Sequence, residues 1–579
     1  MPSETSSTAH EGAEAFVPPH PGSKKMPRWD SGPLLDAPRF TWRNWVAMLG
    51  PGLVAGGSAI GGGEWLLGPR VTAMYGGALL WLATVSILCQ VIYNIEISRY
   101  TLYSGEPIFT GKFRTPPGPL FWMFAYLLLD FGTIFPYLAA NAATPVGTLI
   151  KGGVVPNPKE VEADWWLMKG LAIGIFLLAM VPMLFGGKVY NSLKALMTTK
   201  VFVVLGFLTL TAVLYSSAPT WTEILSGFFR FGTVPVSQAI DVEPADADLP
   251  PPPQPPGKAA SSQPPAAPPA GPQPAAPPPK AGQVDNIFVA LWEGRPLRGA
   301  LDFTLIAYIA ALAAIAGNGG LTNTPISNYT RDQGWGMGHH VGAIPSMIGG
   351  RNIQLSHVGC VFDPNGENLP RWRRWYRHVV RDQLALWMPA CFIGIALPSM
   401  LSVEFLPRGT EVKNEWATPV MTADAVYHHV DAQSGSGVAT IFWFMIIFCG
   451  FLVLAPSVAS TADGFIRRWV DVFWTSSGRL RQLDPGEIKR VYFYVLLGFA
   501  AFGLVMLTLN TPDGLIKYST MFYNIALGIS CWHTLILNSI LLPKPLRPGW
   551  FIRITLFFSG AYFLMLGTIT VLDKLQAFK

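Results

Sequence analysis

An all-α integral membrane protein is the fold class predicted by three features: long apolar runs of helical length, sparse charge, and basic residues gathered in alternate connections. Half of the 579 residues are hydrophobic and only 13% are charged, a balance that suits lipid rather than water as the main solvent. A helix needs roughly 20 predominantly apolar residues to cross the hydrocarbon core. The stretches 201–215 and 441–455, with their flanks, meet that length.

Taken in order, the apolar runs place spans at 44–74, 76–98, 119–141, 165–186 and 191–216, then at 300–329, 383–405, 438–460, 491–509, 516–541 and 551–572. That makes about eleven spanning helices. Basic residues follow every second span: Arg99, Lys112 and Arg114; Lys188 and Lys194; Arg371, Arg373, Arg374, Arg377 and Arg381; Arg467, Arg468, Arg479, Arg481, Lys489 and Arg490; Lys544 and Arg547. By the positive-inside rule the amino terminus is cytoplasmic and, with an odd count, the carboxyl terminus external, in a plasma membrane.

The net charge of +6 is then topology rather than a nucleic-acid surface, and membrane lipid is the expected macromolecular environment. Residues 1–40 lack an apolar core of signal-peptide length. The chain divides into a disordered cytoplasmic tail (1–43), a first five-helix group (44–216), an external linker (217–299) that is Pro- and Ala-rich over 250–281, a second five-helix group (300–541) and a terminal helix (551–579). Cys89, Cys360, Cys391, Cys449 and Cys531 are scattered, without a CxxC pair, and read as packing residues.

The first helix of each five-helix group is interrupted. In the first, Gly50-Pro51-Gly52 precedes Gly56-Gly57 and Gly61-Gly62-Gly63-Glu64-Trp65; in the sixth, Ala316-Gly317-Asn318-Gly319-Gly320-Leu321-Thr322-Asn323-Thr324-Pro325 breaks an apolar run. Glycine costs up to about 1 kcal/mol per residue in a helix. The backbone groups it frees at membrane depth are tolerable only where they line a cavity or a solute. Matched interruptions in two halves point to the binding site of an inverted-repeat transporter; the competing explanation is close helix packing through small residues.

Glu64 is the sharpest single residue, because an ionisable group inside a span pairs, faces water or binds a cation. Its alternative is an interfacial pair with Arg70. Asp130 in the third span is a second buried-carboxylate candidate. Glu96 and Asp463 either serve the site or pair with Arg99 and Arg467 on their own helices.

The spacing of Gly50-Pro51-Gly52 to Gly61-Gly62-Gly63-Glu64-Trp65 resembles, without a gap, the first helix of the Nramp family of proton-coupled divalent-metal transporters, where G-P-G precedes D-P-G-N-W. Helix number, the second break, and Ser457, Ser460 and Thr461 in the eighth span are similar too, from about residue 42 onward and excluding the Pro-rich insertion. The resemblance implies the LeuT-like fold: two inverted five-helix repeats, discontinuous first and sixth helices, and alternating access around a midplane site. The family's metal-binding aspartate falls on Gly61 and its asparagine on Glu64. Its sixth-helix A-x-x-M-P-H meets Ala316-Gly317-Asn318-Gly319-Gly320-Leu321, so the chain resembles a divergent member with an altered metal site.

The expected substrate-binding set is Gly61, Gly63, Glu64, Ala316, Asn318, Gly319, Thr322 and Asn323, with Glu64 and Asp130 for coupling and Glu64, Asn318 and Asn323 as metal ligands. Such oxygen ligands suit hard ions, Mg or Mn. The expected function is an ion-coupled symporter of a small cation, with a carrier of an organic solute, or a sensor or channel without coupling, as alternatives. His339, His340, His357 and Cys360 form at most a cytoplasmic zinc site against ordinary loop roles. His428 and His429, with Asp424 and Asp431, read as a solvated external loop. The Arg371-Trp372-Arg373-Arg374-Trp375 run reads as an interfacial anchor. No Walker loop, nucleophile motif or zinc-protease helix is present, so neither an enzyme nor a cofactor is expected.

Overall fold

The computed structural model describes residues 16–39, 50–185, 188–237, 282–302, 306–345 and 353–574. The start of the first expected span (44–49) and the Pro-rich stretch 250–281 lie outside the described residues. Among the described residues, eight helices are long and apolar enough to cross a membrane: Trp81–Ser104, Glu162–Leu184, Val189–Tyr215, Asn368–Phe405, Ser436–Ser476, Pro485–Leu509, Pro512–Ile540 and Trp550–Leu572. The pair Pro119–Leu129 and Phe131–Ile150, bent by 52°, meets the same length and composition only when taken together. The first and sixth spans are each in pieces: Pro51–Ala59, a π-turn Gly63–Leu67 and Gly68–Tyr75 for the first, Ile306–Ile315 and Pro325–Asp332 for the sixth. The chain is thus an all-α membrane protein whose breaks fall where the glycine runs are.

The first span starts at Gly50 with proline at its first helical position, where the missing N–H costs no hydrogen bond. Its orphan amides are met by a side chain of the seventh span: the Asp382 carboxylate accepts from Gly52 N at 2.6 Å and from Gly50 N at 3.3 Å. This places a negative charge at the positive end of the helix dipole.

The third span departs from the single helix expected over 119–141. It bends at Asp130, whose carboxylate accepts from Thr133 Oγ1 (2.8 Å), Arg468 Nη2 (2.8 Å) and Trp469 Nε1 (2.9 Å). The eighth span also exceeds its expected 438–460. Its 41 residues extend about 60 Å at 1.5 Å per residue, twice the hydrocarbon core. The excess carries Asp463, Arg467, Arg468 and Asp471, all buried against neighbouring elements.

Residues 16–39, expected as part of a disordered tail, are docked as a strap. Asp30–Ser31 pairs in parallel with Cys360–Val361. Trp29 is 3% exposed, edge-on to Tyr103 and beneath the Arg114 guanidinium at 4.9 Å. Further along, Trp375 Nε1 donates to Leu35 O at 2.9 Å and Arg374 pairs with Asp36. That guanidinium holds the Asp36 carboxyl below its ordinary range, so the tie is complete at neutral pH and is lost only on acidification through that lowered range. The Arg- and Trp-rich run therefore grips the strap in addition to any contact with lipid: Trp372 and Trp375 are both buried.

The composition of the strap gave no warning of this, because a tryptophan and a two-residue backbone pairing do the docking. Trp29→Ala should remove about 3–5 kcal/mol of packing. The expected result is faster proteolytic release of the amino-terminal segment from an otherwise intact membrane domain; unchanged cleavage would remove Trp29 as the anchor.

The described ends of the linker meet: Thr233–Val236 pairs antiparallel with Gln283–Asn286. An isolated bridge from Val236 to Leu301 brings the chain back to the start of the expected sixth span.

Candidate functional site

The two breaks face each other. Gly63 approaches the backbone of Ile315 so closely that a Cβ there would lie 2.8 Å from the Ile315 carbonyl oxygen. Between the breaks, the Glu64 carboxylate accepts one amide from each span: Gly61 N at 3.0 Å to Oε2 and Gly317 N at 3.0 Å to Oε1. Its side chain is 1% exposed. Each oxygen keeps lone-pair capacity for a further partner. The interfacial pairing with Arg70 is ruled out by geometry, since Arg70 instead pairs with Asp513 at 3.3 Å and stacks on Tyr308 at 3.9 Å.

The carbonyls and amides freed at the sixth-span break are collected by Gln90 of the second span. Its Nε2 donates to Ala316 O (2.9 Å), and its Oε1 accepts from Asn318 N (3.0 Å) and Asn323 Nδ2 (2.8 Å). Gly317 and Gly320 hold φ of +100° and +62°, a region L side chains rarely adopt. Gly319 and Gly320 also lie against the Tyr523 ring.

A cavity of about 30 Å³, measured as room for the centre of a water-sized sphere, opens at this junction. Of the expected substrate-binding residues, Gly61, Gly63, Glu64, Asn318, Gly319 and Thr322 line it, together with Ser58, Tyr137, Ser457, Thr461 and Tyr523. Two do not. Ala316 spends its carbonyl on Gln90 and Ser86, and Asn323 lies outside the lining with its amide turned to Gln90. The Asn323 Nδ2 is thus engaged by Gln90, while its buried Oδ1 has no hydrogen-bond partner among the described residues. Asp130, expected as a coupling group, is also off the lining and is held by Arg468. Among the described residues no cluster of three His, Cys, Asp or Glu is placed to hold a metal. His339, His340 and His357 each turn a ring nitrogen to a backbone carbonyl instead.

Two polar residues inside apolar runs were overlooked in the sequence, Gln90 and Lys200, although a polar group at membrane depth is itself the signal. Lys200, 1% exposed in the fifth span, donates to Ser457 Oγ at 2.5 Å. At one end of the bundle, Asp513 joins Arg70 and accepts from Tyr308 OH at 2.9 Å, tying the first, sixth and tenth spans. At the other end, Arg331 and Arg467 bridge Asp332, Asp463 and Asp471, tying the sixth span to the eighth.

No family model matches the chain. It is 27% identical over 200 residues to the uncharacterized protein PM0681 of Pasteurella multocida (strain Pm70), a match that covers 33% of this chain and 44% of that protein. Among solved structures it is similar to a manganese transporter of Eremococcus coleocola in complex with an aromatic bis-isothiourea substituted compound. The TM-score is 0.55 at 11% identity, over 94% of this chain and 90% of that one. Two point mutants of the same transporter align equally well, over 95% and 91% of the two chains. The likeness establishes the fold: an all-α, LeuT-like membrane architecture with the first and sixth helices discontinuous.

Proposed function

We propose that this protein is an ion-coupled secondary transporter that moves a small hard divalent cation, Mg or Mn, by alternating access around Glu64. The observation that carries the reading is the suspension of one buried carboxylate between the two broken spans, each donating a backbone amide to it, beside a hydroxyl-lined cavity. Oxygen donors of this kind suit hard ions. The size of the cavity favours an ion over an amino-acid-sized solute. Separate ties at the two ends of the bundle supply the two gates that alternating access requires. The fold shared with a manganese transporter agrees with this reading; the Nramp aspartate, methionine and histidine are absent from the matching positions, so the reading rests on oxygen donors alone. In this reading the protein is not an enzyme, holds no resident cofactor, and sits in the plasma membrane with its amino terminus cytoplasmic and carboxyl terminus external.

The test is uptake of Mn and Mg ions into proteoliposomes with and without an inward proton gradient, comparing the parent with Glu64→Gln. Saturable, gradient-stimulated uptake in the parent and a loss of at least ~100-fold in the variant are expected, a transition-state or binding change of about 2.7 kcal/mol. Absence of uptake by folded parent protein would redirect the search to organic solutes.

A further inference from the structure

The candidate site contains one buried cation besides its buried carboxylate. Lys200 lies within the 27-residue fifth span. Among the described residues its ammonium has a single hydrogen-bond partner, Ser457 Oγ. Ser457 lines the same cavity as Glu64. Gly61 lies between the two groups: a Cβ there would meet Ser457 Oγ at 3.5 Å, and its amide donates to Glu64 at 3.0 Å.

The first helix also ends here, at Ala59. Ser58 and Ala59, at its carbonyl end, line the same cavity as Ser457, the acceptor of the ammonium, so the negative end of that helix's dipole faces the site. The backbone holds the fifth span tightly against this end: Gly57 lacks the Cβ that would meet Met197 Cβ at 2.8 Å. A long flexible lysine therefore has little freedom to leave.

From this geometry we infer that Lys200 is a specificity-determining residue: its ammonium is a built-in competitor that cancels the charge of Glu64 and sets the affinity of the site for cations by their valence. The inference rests on the cation reading of the site and deepens it. A fixed positive charge repels an incoming ion with an energy proportional to that ion's charge. Removing the ammonium therefore raises affinity for a divalent ion by the square of the factor for a monovalent ion of similar position. A purely structural lysine gives no such valence dependence, because loosened packing affects both ions alike.

The experiment measures Kd for Mn, Mg and Na ions on detergent-purified parent, Lys200→Met and Lys200→Gln, by calorimetry and by ligand-dependent thermal shift. Gel filtration selects folded preparations, and two neutral replacements of different polarity guard against loss of one to misfolding. The expected result is a gain of about 10-fold for Na and about 100-fold for Mn and Mg in both variants. Added to Glu64→Gln, Lys200→Met should give the same valence-dependent gain over that single variant, because the repulsion acts on the ion itself. No gain, or an equal gain for all three ions, overturns the role of Lys200. Failure of the transport reading shows separately, as parent uptake that is absent or indifferent to Glu64→Gln.

Discussion

Arg467→Met is expected to leave little folded protein. Arg467 is fully buried and joins two carboxylates, Asp463 at 2.6 Å and Asp332, while its guanidinium lies over Tyr329. Asp332 is shared with Arg331, which also reaches Asp471 at 2.6 Å, and Asp463 accepts from Tyr492 OH at 2.6 Å. In the wild type two guanidiniums balance three carboxylates; in the variant one faces three. Removing one partner of a buried pair costs about 3–5 kcal/mol because the other charge stays buried, and that is a large share of a typical stability of 5–15 kcal/mol. The measurement is thermal unfolding of detergent-solubilised protein followed by gel filtration. Adding Asp463→Asn should recover part of the loss by removing one stranded charge. A melting temperature equal to that of the parent would mean the cluster contributes nothing.

That cluster also marks where sequence reasoning stops. The i,i+4 pair Asp463–Arg467 and the i,i+3 pair Glu96–Arg99 are visible in the chain, because a helix sets their separation, and both form. The charged partners of Asp471 and Asp130, and the second one of Asp332, come from another span across more than a hundred residues, and no local period announces them. Glu64 repeats the lesson. The nearest cation in sequence was Arg70, yet the carboxylate is served by backbone amides, one of them 253 residues away. Amides carry no side-chain signature.

The spans themselves were legible because burial in lipid demands a fixed length of apolar residues and the loops between them carry a charge bias. The breaks were legible because glycine is the residue that tolerates them. Lys200 was not, since one lysine hardly alters the mean hydropathy of a 27-residue span. The bend at Asp130 was missed for a related reason: a carboxylate in an apolar run looks the same in a continuous helix as in one whose hydrogen-bond ladder opens around it.

The sharpest test of how the two broken spans meet is Gly63→Ala set against Gly174→Ala. At Gly63 the new Cβ would lie 2.8 Å from the Ile315 carbonyl oxygen and 3.0 Å from its carbon. Both are backbone atoms at the end of the first half of the sixth span, with no rotamer by which to yield. Overpacking of this sort costs about 1–3 kcal/mol even in adaptable cores. Here the strain also pushes apart the two elements that supply Glu64 with its amides, so a fall in transport of at least ~10-fold is expected along with a lowered melting temperature. Gly174 has nothing within 4 Å of a Cβ and sits in the apolar fourth span. Alanine there should leave transport unchanged and raise stability by up to about 1 kcal/mol, the helical cost of glycine. Equal behaviour of the two variants would mean that the close crossing of the first and sixth spans at Gly63 is not needed to hold Glu64 at the cavity.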